Sequence, residues 1–319
     1  MSLWQKWLRR PRTVFFRKAC FQVHLWIGIA LGLYIVLLSI TGSALVFRRE
    51  MDAAVRPQAP PINASSKLWS KGQLAQAALD AYPGATVERV GGPQRGTALV
   101  RIVLKRNGES FDRDFNALTG EDLGDPWPWK AGAILTLADL HDDLLMLEDR
   151  RGRFWNGVGS VLVTVLCITG AFIWWPGIKG WRRGVLVKRG TSWPRFNFDL
   201  HSAMGFWFFA IIFIWAVSGI YLCFPDPFVA TVDRIWGPNP ALEPRTGDVV
   251  LEWMVRLHFG RWRNSHVLKA VWVIMGLVPA AMFVTGTAMW WHRVVYKRRA
   301  AAKAQRQIVS FAVEAQPAE

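Results

Sequence analysis

The residues of this chain best suited to chemistry are histidines, and two of them begin matching segments. His24 begins HLWIGIALGLYIVLLSITG at residues 24–42, and His201 begins HSAMGFWFFAIIFIWAVSG at residues 201–219. When the two are aligned, the histidines, one internal glycine, an isoleucine and a terminal Thr-Gly or Ser-Gly pair coincide. The alignment indicates that the chain carries two copies of one segment.

Two further histidines also occupy matching positions in the chain. His141 precedes Thr169 by 28 residues and His258 precedes Thr285 by 27, and both threonines begin short TG sequences that end in Trp-Trp. The chain therefore reads as two tandem units. Each unit has one histidine at the start of its first apolar segment and another before its second.

Imidazole is the commonest metal ligand among side chains, and its repetition here favours ligation. Pairing like with like predicts an inner site from His24 and His201 and an outer site from His141 and His258. One histidine pair in each leaflet is the arrangement of two stacked six-coordinate haems, and two axial histidines suit haem for electron transfer. We predict two b-type haems, since no CxxCH motif for covalent attachment occurs.

A simpler interpretation stays open for each histidine. A histidine near a membrane boundary is often an interfacial polar residue rather than a ligand. His266 and His292 have no repeat partner, so this interpretation fits them best. His292 nevertheless lies at the cytoplasmic end of the last segment, where it could replace His24 or His201, and His266 is the corresponding alternate on the outer side.

The elements that position these residues are predicted to be membrane helices. The chain of 319 residues is 52% hydrophobic and contains 19 Trp and 19 Phe. Apolar segments meet the ~20 residues that a helix needs to cross the hydrocarbon, and in lipid only helices satisfy their own backbone. The predicted spans are 19–50, 154–178, 200–225 and 270–292.

Charge fixes the predicted orientation. Basic residues concentrate in the N-terminus 1–18, the loop 179–199 and the tail 293–319, which together with the residues just beside them carry nearly the whole net charge of +16. The positive-inside rule places these segments in the cytoplasm. The regions left outside are 51–130, 131–153 and 226–269. Because the basic residues flank spans, nucleic-acid binding is not expected.

The region 51–130 is predicted to be a small α+β module. Ser70 can cap a helix that stops at Pro83-Gly84, and two alternating strands and an Asn107-Gly108 turn into a third strand follow. Its acidic residues are expected to form a solvated face and turns rather than a metal site; they are Asp112, Asp114, Glu121, Asp122 and Asp125. The fold class is thus all-α integral membrane, with this module between the first two spans.

Other residue types carry less chemistry. Cys20, Cys167 and Cys223 are too widely spaced for a disulfide framework or a metal cluster and read as packing residues. The Thr-Gly and Ser-Gly pairs read as close helix contacts with the hydroxyl bonded to its own helix. Most Trp are expected in an interfacial belt. Trp26 and the Trp-Trp pairs that begin at Trp174 and Trp290 could instead line a porphyrin edge.

Four motifs together resemble the PepSY-associated transmembrane family. They are RKACFQVHLWIGIALGLYIVLLSITGSALVFRRE, LADLHDDLLMLEDRRGRFWNGVGSVLVTVLCITGAFIWWP, FNFDLHSAMGFW and LHFGRWRNSHVLKAVWVIMGLVPAAMFVTGTAMWWHR. The resemblance covers roughly residues 13 to 298, and FDRDFNALTGEDLG resembles the end of a PepSY module. It implies a bacterial inner-membrane reductase of ferric siderophores with two b-type haems, whose histidines match His24, His141, His201 and His258.

The expected function is therefore transmembrane electron transfer to a periplasmic ferric siderophore or other ferric chelate. The chain has no GxGxxG motif, so the electron donor would be a quinol or a separate cytoplasmic reductase. An ion-coupled transporter would normally carry carboxylates or lysines inside the membrane, and the apolar windows 19–47, 154–178, 200–225 and 270–292 have none. The alternative is a PepSY-type membrane-anchored sensor or peptidase-regulating protein without redox activity, which would not require repeated histidines.

Overall fold

The computed structural model describes residues 3–9, 15–94, 96–146, 150–178, 180–238, 244–260 and 265–296. The tail predicted over 293–319 lies outside this part of the chain from residue 297 onward. The chain divides into two compact units, one of residues 1–46 with 139–319 and one of residues 47–138.

Helices dominate the described chain. In order they are α1 (Leu3–Arg9), α2 (Phe15–Ala30), α3 (Gly32–Leu45), α4 (Arg48–Val55), α5 (Lys71–Ala81), α6 (Trp129–Asp143), α7 (Arg151–Trp174), α8 (Trp181–Val185), α9 (Trp193–Trp207), α10 (Phe209–Cys223), α11 (Pro225–Trp236), α12 (Thr246–Phe259), α13 (His266–Gly276) and α14 (Val278–Trp291), with a π-helical turn over His292–Tyr296. Helix α6 contributes its last turn, from Asp139, to the first unit.

Among the described residues, two helical runs are long and apolar enough to cross a membrane by themselves. They are α7, with 24 residues, and the run His266–Tyr296, with 31. The number rises to four if α2 with α3 and α9 with α10 each count as one span. Large apolar side chains such as Leu33 and Ile274 are exposed on these helices, as lipid-facing residues are.

Each of the two remaining predicted spans is bent rather than straight. The helices on either side of Leu31 and of Phe208 meet at 62° in both cases. Leu31 has φ −90° and ψ 1°, and Phe208 has φ −103° and ψ 3°, so both leave the α-helical range. Both residues lie seven positions after a histidine, His24 or His201, and hydrophobic patterning alone does not reveal such a break.

The packing of the first unit relates its helices in a regular way. Helix α7 packs against α2 and α10, while α14 packs against α9 and α3. Helix α10 also packs against α12. Each of the two long apolar runs therefore packs against the first helix of one bent pair and the second helix of the other.

The second unit is built on an antiparallel sheet in the order β1-β2-β3-β4. The strands are β1 (Thr86–Pro93), β2 (Leu99–Arg106), β3 (Glu109–Asn116) and β4 (Asp122–Gly124). Helix α5 packs on β1, and one face of the sheet forms the core of this unit. The buried residues of this core are Leu74, Ala78, Ala85, Ala98, Val100, Ile102, Leu104, Phe115 and Ala117.

The predicted helix, strands and turn of this unit are confirmed. The Ser70 hydroxyl accepts a hydrogen bond from the Gln73 amide at 3.2 Å, and the Gln73 side chain accepts one from the Ser70 amide at 2.9 Å, which completes a capping box. Asn107 and Gly108 have φ of 55° and 87°, the left-handed values that a two-residue hairpin turn requires.

The prediction of a solvated acidic face is wrong for Asp114. Its side chain is buried and accepts hydrogen bonds from Arg101 Nε at 3.0 Å and Nη2 at 3.3 Å, which compensate a charge removed from water. Asp122 accepts a hydrogen bond from the Tyr82 hydroxyl, and burial together with this contact raises the pKa of Tyr82 to about 12. Asp125 does form a turn, since it accepts from the Trp127 amide at 2.7 Å.

Candidate functional site

The structure brings His141 and His258 together. They lie in the last turns of α6 and α12, and their ring centroids are 6.5 Å apart with the ring planes at 64°. A metal held between two imidazoles, about 2 Å from each nitrogen, would place the ring centres roughly 6 Å apart. The observed separation therefore leaves room for one metal atom between the two rings.

Both of these imidazoles are half-buried. Burial lowers the pKa of His141 to about 4. Burial, followed by the neighbouring charge of His141, lowers the pKa of His258 to about 4, and a hydrogen bond to the Trp215 backbone opposes this shift. At neutral pH both rings are uncharged, which is the form in which imidazole ligates a metal.

His24 and His201 line a single cavity of about 1650 Å³ in the same unit. Four of the six glycines among its lining residues fall at matching positions after the histidines and after the two threonines that precede Trp-Trp; they are Gly28, Gly205, Gly170 and Gly286. Glycine leaves the helix surface flat and open, so a broad planar molecule can approach the backbone. The cavity volume exceeds what side-chain packing alone leaves in a protein interior.

Polar groups also face this cavity. Two of its lining residues, Trp175 and Thr287, have buried polar atoms, Nε1 and Oγ1, with no hydrogen-bond partner among the described residues. Trp174 and Trp290 line the cavity too, as expected for an aromatic wall, whereas Trp26 is 60% exposed and does not. Unpaired buried polar atoms indicate a polar partner in the cavity.

Basic side chains line the same cavity. They are Arg17, Lys18, Arg195 and Arg293. Arg195 pairs with the buried Asp199 at 2.9 Å, and the guanidinium of Arg293 lies over the Phe21 ring. Lys18, Arg195 and Arg293 are exposed, so this positive charge lies where solvent reaches the cavity, and it favours an anionic group there.

Each of the four histidines contacts a hydroxyl through Nδ1. His141 Nδ1 is 2.9 Å from Thr41 Oγ1, and His258 Nδ1 is 2.8 Å from Ser218 Oγ. His24 Nδ1 is 3.3 Å from Thr169 Oγ1, and His201 Nδ1 is 2.9 Å from Thr285 Oγ1. In every case the second ring nitrogen, Nε2, is left for another partner.

The glycine that follows the hydroxyl allows three of these contacts. A Cβ at Gly42 would lie 2.7 Å from Cε1 of His141, and a Cβ at Gly170 would lie 3.0 Å from Cε1 of His24. At Gly286 the corresponding distance to His201 is 3.3 Å. Only at Gly219 is the near neighbour a different side chain, Ser160. The imidazoles thus lie directly across the helix surface at the Thr-Gly pairs.

Two side chains, one of them buried, hold the backbone around the histidines. Asn156 Nδ2 donates to the carbonyls of His141 and Asp142 at 2.8 and 2.9 Å, where α6 ends. Trp215 Nε1 donates to the carbonyl of Leu257, the neighbour of His258, at 3.2 Å. These contacts fix the ends of α6 and α12 and so the directions of their histidines.

The remaining histidines are placed differently. His292 begins the π-helical turn, stacks on Tyr296 with ring centroids 5.3 Å apart, and lines the inner cavity with His24 and His201. His266 is the exposed first residue of α13. The ligand choice among His24, His201 and His292 stays a prediction.

Sequence reasoning missed the partnership between the histidines and the hydroxyls. The expected bond from each hydroxyl to its own helix is present, for example from Thr41 Oγ1 to the Leu37 carbonyl at 2.8 Å. The additional bond to a histidine links residues 100 positions apart in this case. The sequence signal for it is that one Thr-Gly or Ser-Gly pair recurs for each of the four repeated histidines.

The described residues contain no group of three or more His, Cys, Asp or Glu side chains that could hold a metal ion by themselves. Cys20, Cys167 and Cys223 are free. Each histidine pair therefore offers two protein ligands, and any metal there would need other ligands from the molecule that carries it. This requirement matches a metal macrocycle better than a bare ion.

Apolar helices of spanning length are typical of a membrane protein. The sequence profile of the PepSY-associated TM region matches residues 21–248 and 238–293, so the chain belongs to this family. A search of curated proteins finds no match.

Proposed function

We propose that the chain is a di-haem electron-transfer protein and a membrane oxidoreductase that reduces a periplasmic ferric siderophore or other ferric chelate. In this proposal it crosses the bacterial inner membrane four times as two tandem two-helix repeats. The observation that carries the proposal is that the rings of His141 and His258 lie 6.5 Å apart and that His24 and His201 line one cavity. In the proposal each of these pairs takes one residue from each repeat. A membrane-anchored sensor or peptidase-regulating protein without redox activity would not need such pairs.

The chemistry of the two sites supports haem. A porphyrin provides four equatorial nitrogens, so two histidines suffice to complete six coordinate positions. The outer ring separation of 6.5 Å accommodates one metal atom, and the inner cavity of about 1650 Å³ accommodates a macrocycle against glycine-lined helices. When bound, haem would supply a one-electron redox centre at each pair.

The residues around the inner cavity would bind and orient the cofactor. His24 and His201 would supply axial nitrogens, and Arg17, Lys18 and Arg293 would pair with its carboxylates. The aromatic lining would exclude water, which strengthens these electrostatic contacts. His141 and His258 would supply the axial nitrogens of the outer site.

The proposed direction follows from charge and topology. The basic segments would keep both termini and the loop 179–199 in the cytoplasm, and the small α+β unit would lie in the periplasm. A quinol or a cytoplasmic reductase would donate the electrons. One electron reduces each ferric ion to ferrous iron, which a siderophore with hard oxygen ligands holds less tightly than the ferric ion.

Proteoliposomes test the function. Reductant trapped inside vesicles that contain the purified protein should reduce a ferric siderophore added outside, and a ferrous-specific chromogenic chelator outside would report it. Empty liposomes control for leakage. Protein with full haem content that reduces no external ferric chelate would refute the iron assignment, and a colourless protein from haem-replete cells would favour the sensor alternative.

A further inference from the structure

We infer that four hydroxyl residues are positioning residues that set the protonation of the histidine ligands. They are Thr169 and Thr285 for the inner pair and Thr41 and Ser218 for the outer pair. Each hydroxyl holds its histidine with the proton on Nδ1, so that the lone pair of Nε2 is available for a metal. The inference rests on the proposed function and concerns residues that supply no ligand atom.

The tautomer is most tightly defined at His24. Its Nδ1 lies 3.0 Å from the carbonyl oxygen of Leu166, and a carbonyl oxygen can only accept a hydrogen bond. Nδ1 must therefore carry the proton in a neutral ring. The same nitrogen is 3.3 Å from Thr169 Oγ1, so the proton is shared between two acceptors on one turn of α7.

Each of the four hydroxyls donates its own hydrogen bond to a backbone carbonyl of its own helix. Thr169 Oγ1 is 2.7 Å from the Val165 carbonyl, Ser218 Oγ is 2.7 Å from that of Ile214, and Thr285 Oγ1 is 3.0 Å from that of Ala281. Thr41 makes the same bond to Leu37 at 2.8 Å. A hydroxyl has one proton to donate, and a helix carbonyl receives it here. Its lone pair then accepts from the imidazole.

Each proposed site combines hydroxyl–histidine pairs with a histidine–histidine pair. The hydroxyl and its histidine belong to the same repeat: α7 serves the histidine of α2, and α14 serves that of α9. The two histidines of one site come from different repeats. Each site consequently has two orienting hydroxyls on two helices, and a shift of either helix changes the orientation of one ligand.

The hydrogen bond at Nδ1 affects how strongly the imidazole donates electrons to a bound metal. A hydrogen bond from Nδ1–H makes the imidazole a better donor, and a partner outside the ligand sphere tunes a metal site in this way. A hydroxyl is a neutral acceptor, so it supports the ligand less strongly than a carboxylate would. Loss of this acceptor should destabilise oxidised iron and raise the reduction potential of the haem that it serves.

The experiment compares three variants of the full-length purified protein. Thr41→Val removes the hydroxyl that accepts from His141 Nδ1 at 2.9 Å with little change in shape, and Thr41→Ser keeps it. Thr164→Val is the matched control, because Thr164 also donates to a carbonyl four residues earlier, that of Ser160 at 2.9 Å, with no histidine bonded to it. Potentiometric titration followed by visible spectra gives the midpoint potential of each haem.

We expect Thr41→Val to shift the midpoint potential of the outer haem upward or to lose that haem, with Thr41→Ser and Thr164→Val like the parent. Thr169→Val should shift the inner haem less, because the Leu166 carbonyl still accepts from His24 Nδ1. Equal potentials and haem content in Thr41→Val and Thr164→Val would overturn the inference. Loss of haem in Thr41→Ser would also overturn it, because the hydroxyl is retained there. A parent protein without haem would refute the proposed function itself, and the inference with it.

Discussion

At the residue scale, the site depends on a short local pattern in which a hydroxyl and a glycine meet an imidazole from another helix. The hydroxyl of Thr41 contacts Nδ1 of His141, and the absence of a side chain at Gly42 leaves space for Cε1. The two positions have different tasks, one polar and one steric. Their effects on a ligand can be separated by mutation.

Replacing Gly42 by Ala tests the steric task. The added Cβ would lie 2.7 Å from His141 Cε1, a distance that requires the ring to move. We expect the outer haem to be lost or to become high-spin in visible spectra while the inner haem persists. Gly132→Ala is the control, since nothing lies within 4 Å of a Cβ at that helical position. An unchanged outer haem in Gly42→Ala would contradict this role.

At the element scale, the second unit shows how capping and turns define a fold independently of the histidines. Helix α5 begins at a capping box of Ser70 and Gln73, and it buries Leu74 and Ala78 in the sheet core. The first turn of such a helix depends on its cap for the unpaired amides.

Ser70→Ala removes one half of this box. Loss of an N-cap typically costs about 1 kcal/mol of helix stability. Hydrogen–deuterium exchange of the α5 amides should therefore speed up by roughly fivefold in the full-length protein, since that free energy is about 1.7 RT. Exchange in α7 should not change. Ser70→Asp is the matched control, because aspartate caps as well as serine does. Unaltered α5 exchange in Ser70→Ala would show that packing alone fixes this helix.

Much of this architecture could be predicted from sequence, because it depends on local signals. The Ser70 cap, the Asn107-Gly108 turn and the apolar run of α7 can each be read from one continuous stretch of sequence. The breaks at Leu31 and Phe208 and the burial of Asp114 depend on tertiary contacts, which periodicity does not encode. The repeat identified the histidines, but the hydroxyl of Thr41 could be assigned to His141 only once helices 100 residues apart were placed.

At the scale of the whole molecule, the distribution of charge sets the proposed orientation. Basic residues flank the apolar helices at three places in the chain, whereas the region around Ser110 is rich in acidic residues. The positive-inside rule then assigns the two ends of every span to opposite compartments.

Cysteine labelling of intact cells tests this orientation. Ser110→Cys, in a background without the three native cysteines, should react with a membrane-impermeant maleimide. Lys188→Cys should react only after the inner membrane is permeabilised. Both positions are exposed to solvent in the structure, so access depends on the compartment alone. Protection at 110 with labelling at 188 would reverse the topology and exchange the inner and outer sites.

The central claim is that two histidine pairs hold two haems. Haem content per chain, measured by the pyridine haemochrome method on protein purified in mild detergent, tests it most directly. The comparison needs the parent, the double variant His24→Ala with His201→Ala, the double variant His141→Ala with His258→Ala, and two single variants, His266→Ala and His292→Ala.

The account predicts two haems per chain in the parent and in both single variants, and one in each double variant. The haem that remains should be low-spin, with a spectrum that differs between the two double variants. Two low-spin haems in both double variants would contradict ligation by these residues. Loss of the inner haem in His292→Ala would make His292 a ligand of the inner site and contradict the pairing of His24 with His201.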